Sequence, residues 1–281
     1  MYSKPNSNSN SVGNAIRAFA AVMIVLIILS RLFTCDHATT TSSPSPRPAT
    51  GYQQVASNPI LDQLQPPPDL QRTDGTALAI LIDVSGSMSD PVPDANNQRR
   101  PKIDIAKRSV LSLLTQADQF IKAHPDRPLL IGLYEFSSRP GQPSCRTIIP
   151  LSTPNLASAQ SALAQMRPNG GTPIGDAIIH VKRDLDRTAK SRLHILVLTD
   201  GENNQGYNPP DVMNAISRLS EDARPATYFI AFDIAAEKFK QVRDSGALVL
   251  SAANEPELRQ TLDYLLTGKI LAEQPPTPQP R

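Results

Sequence analysis

Residues 77–87 read ALAILIDVSGS, six apolar residues followed by an aspartate and two serines at alternate positions. A short run that is apolar at every position predicts a β-strand covered on both faces. The same reading applies to LLIGLYEF at 129–136, LHILVL at 193–198 and ATYFIAF at 226–232, with shorter strands at 146–150 and 247–250. Between them the apolar period changes to three and four residues: Ile103, Ala106, Val110, Leu113 and Leu114 form one stripe, and Ile174, Ala177, Ile178, Val181 and Leu185 another. Further helices are predicted over 212–219 and 258–266. Strands alternating with helices imply parallel pairing through right-handed crossovers. The expected fold is therefore a doubly wound α/β domain, a mostly parallel sheet with helices on both faces. Ligands of such sheets bind beyond the carboxyl ends of the strands, where Asp83, Ser85 and Ser87 lie.

Two other segments reach the same edge. The strand at 193–198 runs into Thr199-Asp200-Gly201, and Gly170-Gly171-Thr172-Pro173 precedes a predicted helix. Taken singly, Asp200-Gly201 is an ordinary turn pair and Thr172 an N-cap before a proline at the first helical position. Taken together, Asp83, Ser85, Ser87, Thr172 and Asp200 form an oxygen-only donor set. It suits a hard divalent cation, Mg²⁺ first and Mn²⁺ or Ca²⁺ as alternatives.

The segments D-x-S-x-S at 83–87, GGTPIGDA at 170–177 and LTDG at 198–201 resemble, in order and element context, the von Willebrand factor A-type domain and its metal ion-dependent adhesion site. The resemblance covers about residues 75–270. It implies that Ser85 and Ser87 bind the metal directly, that Thr172 does so in the ligand-competent state, and that Asp83 and Asp200 act directly or through water. Two carboxylates balance the cation while neutral hydroxyls leave it electrophilic, so the implied ligand is an Asp or Glu of a protein partner. The segment 88–101, with Arg99 and Arg100, is longer than the motif needs and either shapes or occludes the rim. Asp176 either stabilises the start of its helix or supports the metal shell from behind. A shift of the 258–266 helix on ligand binding is a further implication.

Composition excludes several alternatives. Residues 73–281 hold 23 of the 28 basic and 23 of the 26 acidic residues, so this part lacks the basic excess of a nucleic-acid binder. Cys35 and Cys145 are too few for a disulfide scaffold or an all-cysteine metal site, and His37, His124, His180 and His194 show no ligand spacing. Ser85 has no nucleophile elbow around it and no evident base, which argues against an enzyme. A metal-independent scaffold or assembly module is the remaining rival, and the residues fix no oligomeric state. His180 and Cys145 read as structural, and the mixed charges Lys182, Arg183, Asp184, Asp186 and Arg187 as a solvated helix face.

The ends differ from the middle. Residues 1–13 are a polar tail, and residues 18–30 an uncharged apolar run between Arg17 and Arg31. Extended to 14–34 with both arginines reaching outward, that run approaches the ~20 residues of a membrane anchor; a cleaved signal segment is the competing reading. Leu32-Phe33-Thr34-Cys35 resembles a bacterial lipobox, with Phe33 and Thr34 in place of the usual small residues. Lys4 and Arg17 precede the run while Arg31 and Asp36 nearly cancel after it, so the expected location is a single-pass membrane protein with an extracytoplasmic domain. Residues 35–74, rich in Pro, Ser and Thr, read as a disordered stalk, and 271–281 as a proline-rich tail.

Overall fold

The computed structural model of the chain describes residues 58–273. In chain order it contains α1 (Pro59–Leu64), β1 (Thr73–Asp83), a 3₁₀ turn (Gly86–Ser89), β2 (Pro91–Pro93), β3 (Arg99–Pro101) and α2 (Lys102–Ala123). There follow β4 (Leu129–Phe136), β5 (Cys145–Ser152), α3 (Leu156–Gln165), α4 (Ile174–Arg187), β6 (Lys190–Thr199), α5 (Pro209–Ile216) and β7 (Ala226–Phe232). The last elements are α6 (Lys240–Asp244), β8 (Leu248–Ala252) and α7 (Glu255–Leu265), which runs into a π-helical turn (Leu266–Ile270).

Six strands form one sheet in the order β5-β4-β1-β6-β7-β8, parallel throughout except for β5, which pairs antiparallel with β4 at the edge. β2 and β3 make a separate antiparallel hairpin. The alternation of β1 divides the core: Leu78, Ile80 and Ile82 pack with Val110 and Leu113 of α2 and Leu258 and Leu262 of α7. Ala77, Ala79 and Leu81 pack on the other face with Ile178 and Leu185 of α4 and Val212 of α5. Every residue of the two predicted helical stripes is buried. The fold is the doubly wound α/β sheet expected from the pattern of runs.

Two expectations change. Residues 58–72, the end of the expected stalk, are folded against α4: Asn58 caps α1 by accepting from Ile60 N at 3.1 Å, and Leu64 is buried in the core. Proline-rich composition kept that helix from standing alone, but a docking surface supplies what it lacks. Lys182 and Asp186 accordingly lie on a buried face, with Lys182 Nζ donating to Leu64 O at 3.1 Å and pairing with Asp186, which also takes Arg72 at 3.0 Å.

The expected membrane localisation is also corrected. Among the described residues no helix is long and apolar enough to cross a membrane. The longest, α2, is an amphipathic helix whose apolar stripe packs into the core. The apolar run at 14–34, Cys35 and the stalk up to residue 57 lie outside the described residues, as does the tail from 274.

Candidate functional site at the strand ends

Register places the site. Ile82 pairs with Leu198 and Asp83 with Phe136, so the carboxyl ends of β1 and β6 lie side by side. Asp83 is fully buried there. Its Oδ1 accepts from Ser85 N at 2.7 Å and its Oδ2 from Thr199 Oγ1 at 2.6 Å. Burial pushes this carboxyl up to about 7; the hydrogen bonds from Thr199 and Ser85 oppose the rise and the charge of Asp200 adds to it.

The chain then turns at Gly86, and the buried side chain of Met88 pins the 3₁₀ turn to the core, leaving Ser87 exposed. Ser87 Oγ donates to Asp200 Oδ1 at 2.8 Å and lies 3.2 Å from Ser85 Oγ. Gly86 N donates to Gly170 O at 3.0 Å, which draws the third segment onto the first. Gly170 has φ +86°, and a Cβ there would stand 2.0 Å from Ser138 O, so the approach requires glycine.

Thr172 is buried and does not cap α4, contrary to its reading as an N-cap. Pro173 occupies that position, and Ile174 N donates instead to Asn203 Oδ1 at 2.8 Å, while Thr172 N donates to Asn204 Oδ1 at 2.8 Å. The threonine hydroxyl is turned toward Gly201, where a Cβ would lie 3.6 Å from Thr172 Oγ1 and 3.9 Å from Ser87 Oγ. Asp176 accepts from Tyr207 N at 2.9 Å, so it ties the loop after Asp200 to α4 rather than serving the helix start alone.

All five residues expected from the sequence therefore meet at one edge: two carboxylates, three hydroxyls and no soft donor. Among the described residues no group of three or more His, Cys, Asp or Glu could hold a metal. A cation at this edge would depend on the hydroxyls for most of its oxygen donors. The donor set, two carboxylates and three hydroxyls, fits a hard divalent ion.

Four residues at this edge escaped the sequence reading. Asn203 and Asn204 hold the Thr172 segment, and Lys102 and Asp233 add a second charge pair. Lys102 Nζ, on the first residue of α2, stands 3.0 Å from Asp200 Oδ2 and 3.0 Å from Asp233 Oδ2. Burial opposes its charge, yet the hydrogen bonds and charges of Asp233 and Asp200 outweigh that cost and hold the ammonium above the ordinary lysine value. Asp233 directly follows β7, so the strand-end carboxylate pattern that found Asp83 and Asp200 would have found it as well. Lys102 opens a helix after a long loop and carries no such signal.

Cys145, His180 and His194 make no hydrogen bond to the five site residues. Cys145 is a free, buried thiol, raised far above its ordinary value by burial and then by the charges of Asp184 and Glu135. His180 lies 3.2 Å from Thr147 Oγ1. His194 is buried against Tyr228 and Glu273, five residues before Thr199 and so about 16 Å along β6 from the strand end.

The family model of the von Willebrand factor type A domain matches residues 77–260. No curated protein matches the chain. Among solved structures, the conserved hypothetical protein BatB from Bacteroides thetaiotaomicron is 17% identical with a TM-score of 0.52, over 69% of this chain and 98% of that one. The PilB minor pilin from Streptococcus sanguinis is 14% identical with a TM-score of 0.55, over 70% of this chain and 62% of that one. The pilus adhesin SpaC from Lactobacillus rhamnosus GG is 15% identical with a TM-score of 0.53, over 71% of this chain and 31% of that one. At these identities the likeness is one of fold.

Proposed function

The chain belongs to the von Willebrand factor type A domain family, and on that premise we propose that it is a protein-interaction module whose strand-end site holds a divalent cation, Mg²⁺ by preference, and receives an Asp or Glu of a partner. The observation that carries the reading is the position of Ser87 Oγ, 2.8 Å from Asp200 Oδ1 and 3.2 Å from Ser85 Oγ, above the buried Asp83. Separate loops are brought together there, since Gly86 N donates to Gly170 O at 3.0 Å and Ser87 Oγ to Asp200 Oδ1 at 2.8 Å.

Ser85, Ser87 and Thr172 would hold the metal through neutral oxygens, and Asp83 and Asp200 would balance its charge. When bound, the metal supplies a positive centre able to take one more oxygen ligand. The protein's own residues do the rest: the Ser85 N–H and Thr199 hydroxyl orient Asp83, and Asn203 and Asn204 orient the Thr172 segment. Solvent reaches the site at the exposed Ser87, which is where a partner side chain would enter. A pilus adhesin and a minor pilin among the structures of like fold are in keeping with an interaction role.

Calorimetric titration of the full chain with Mg²⁺ tests the reading. Wild type should give heat and Asp83→Ala none; equal heats from both would remove the site. One observation favours the metal-independent scaffold as a second reading, because Lys102 already gives Asp200 a cationic partner. Partner capture in Mg²⁺ against EDTA separates the two: capture lost in EDTA supports the metal-dependent module, and unchanged capture the scaffold.

A further inference from the structure

Lys102 and Asp233 are both placed against local preference. A cation on the first residue of a helix faces the positive end of the helix dipole. Asp233, at φ +56°, occupies the left-handed region, which costs Asp less than most L-residues but is still not its preferred conformation, and it is pinned there by its N–H donating to Ala252 O at 2.8 Å. These two unfavourable choices meet each other at 3.0 Å and meet Asp200 at the same ammonium. Strain that converges on one contact points to a role for that contact.

The oxygens of Asp200 are divided between two partners: Ser87 takes Oδ1 and Lys102 takes Oδ2. Asp200 and Lys102 are buried as side chains, whereas the Asp233 side chain is 41% exposed. Lys102 therefore has two carboxylates to choose from, one inside the candidate metal site and one beside it. With all four groups ionised, Asp83, Asp200, Asp233 and Lys102 sum to two negative charges, the deficit a divalent cation fills. Asp83 and Asp200 would then balance the metal, while Lys102 and Asp233 form a neutral pair of their own.

We infer that Lys102 is a resident counter-cation that sets the affinity of this edge for divalent metal, neutralising Asp200 in the metal-free protein and passing to Asp233 when a metal takes over that charge. The inference rests on the metal-binding reading above and adds its regulation. Lys102 lowers metal affinity by repulsion and in return keeps the buried Asp200 satisfied without metal. The site is thereby tuned to fill only where divalent cation is abundant, without unfolding the edge where it is scarce.

The test is titration of the full chain with Mn²⁺, by calorimetry and by the rise in melting temperature, for wild type, Lys102→Met, Lys102→Gln and Lys102→Arg. Removing one positive charge at contact range should tighten Mn²⁺ binding by about tenfold or more in the Met and Gln variants. The Arg variant, which keeps the charge, should stay within about threefold of wild type. The Gln variant keeps a polar head for Asp200 and covers the case in which Met disturbs folding. Tighter binding in either neutral variant supports the inference, and so does binding by a neutral variant when wild type shows none. If wild type binds Mn²⁺ and the neutral variants bind equally or more weakly, Lys102 is a structural prop and the inference fails alone. If no protein in the series binds Mn²⁺, the metal reading and the inference fall together.

Discussion

Replacing Asp83 by Asn should stabilise the metal-free protein at neutral pH while abolishing its response to Mg²⁺. The folded value of this carboxyl is about 7 against 3.8 for the free side chain, because the group has no exposure to water. The folded state thus holds the proton more tightly than the unfolded state. The associated stability is complete below about pH 4 and is lost as pH rises through about 7. The whole change is equivalent to about 4 kcal/mol, of which more than half falls between pH 5 and pH 8. Against a typical domain stability of about 5–15 kcal/mol that is a large penalty for keeping an anion in place. Asparagine keeps the shape and removes the charge. Its Oδ1 can still accept from Ser85 N, and the Thr199 hydroxyl, 3.0 Å from Gly201 O, can donate to that carbonyl and accept from the new amide. Urea unfolding in EDTA at pH 5 and pH 8 reads the effect, and slopes from other groups cancel between the two proteins. The stability advantage of Asp83→Asn should grow by about 2–3 kcal/mol from pH 5 to pH 8. At pH 8, Mg²⁺ at a hundred times its Kd should add about 2.7 kcal/mol to wild type and nothing to the variant. An advantage that does not change with pH would refute the account of Asp83 as a charge held ready for a cation.

The other predictions concern the parts that hold the site. Asn204→Ala removes the acceptor of Thr172 N at 2.8 Å and should weaken Mg²⁺ binding by about tenfold while costing about 1 kcal/mol of stability, read by calorimetry and urea unfolding. Gly170→Ala forces a Cβ to 2.0 Å from Ser138 O at φ +86° and should lower stability by more than about 2 kcal/mol, seen as a fall in melting temperature. Lys182→Met leaves Leu64 O without its donor and Asp186 with Arg72 alone. It should cost about 3 kcal/mol and expose residues 58–72 to limited proteolysis; an unchanged digestion pattern would mean that α1 docks without need of Lys182. In a Cys35→Ser chain, Cys145 should resist alkylation at pH 8 until the protein is unfolded, because burial keeps its thiol protonated.

What could be read from the residues follows the kind of burial each element undergoes. β1, β4, β6 and β7 are central strands covered on both faces, so each carries a mostly apolar run, and α2 and α4 carry wide apolar stripes. α3, LASAQSALAQ, buries only Ala159 and Leu163 from a set of small residues and offers too little contrast for a period to show. α1 hides among prolines because its one deeply buried residue, Leu64, has meaning only against α4. The hairpin of β2 and β3 has prolines at three of its six strand positions and is mostly exposed, so neither alternation nor propensity marks it. In each case the missing signal belongs to a contact between distant segments, which no local window contains.

The same division runs through the site. Asp83, Ser85, Ser87, Thr172 and Asp200 could be gathered on paper because a parallel sheet brings the carboxyl ends of its strands to one edge, and each of these residues follows a recognisable element. Asp233 obeys that rule too, at the end of β7 two strands from β1, and extending the rule to every strand end would have included it. Lys102 obeys no rule of the kind, since a cation at the start of a helix is locally disfavoured and becomes intelligible only beside the two carboxylates it bridges. Residues that donate to a ligand tend to sit where the backbone already converges, and so leave a trace in spacing. A residue that adjusts the charge of the donors needs only a long enough side chain, and its position in the sequence is correspondingly free.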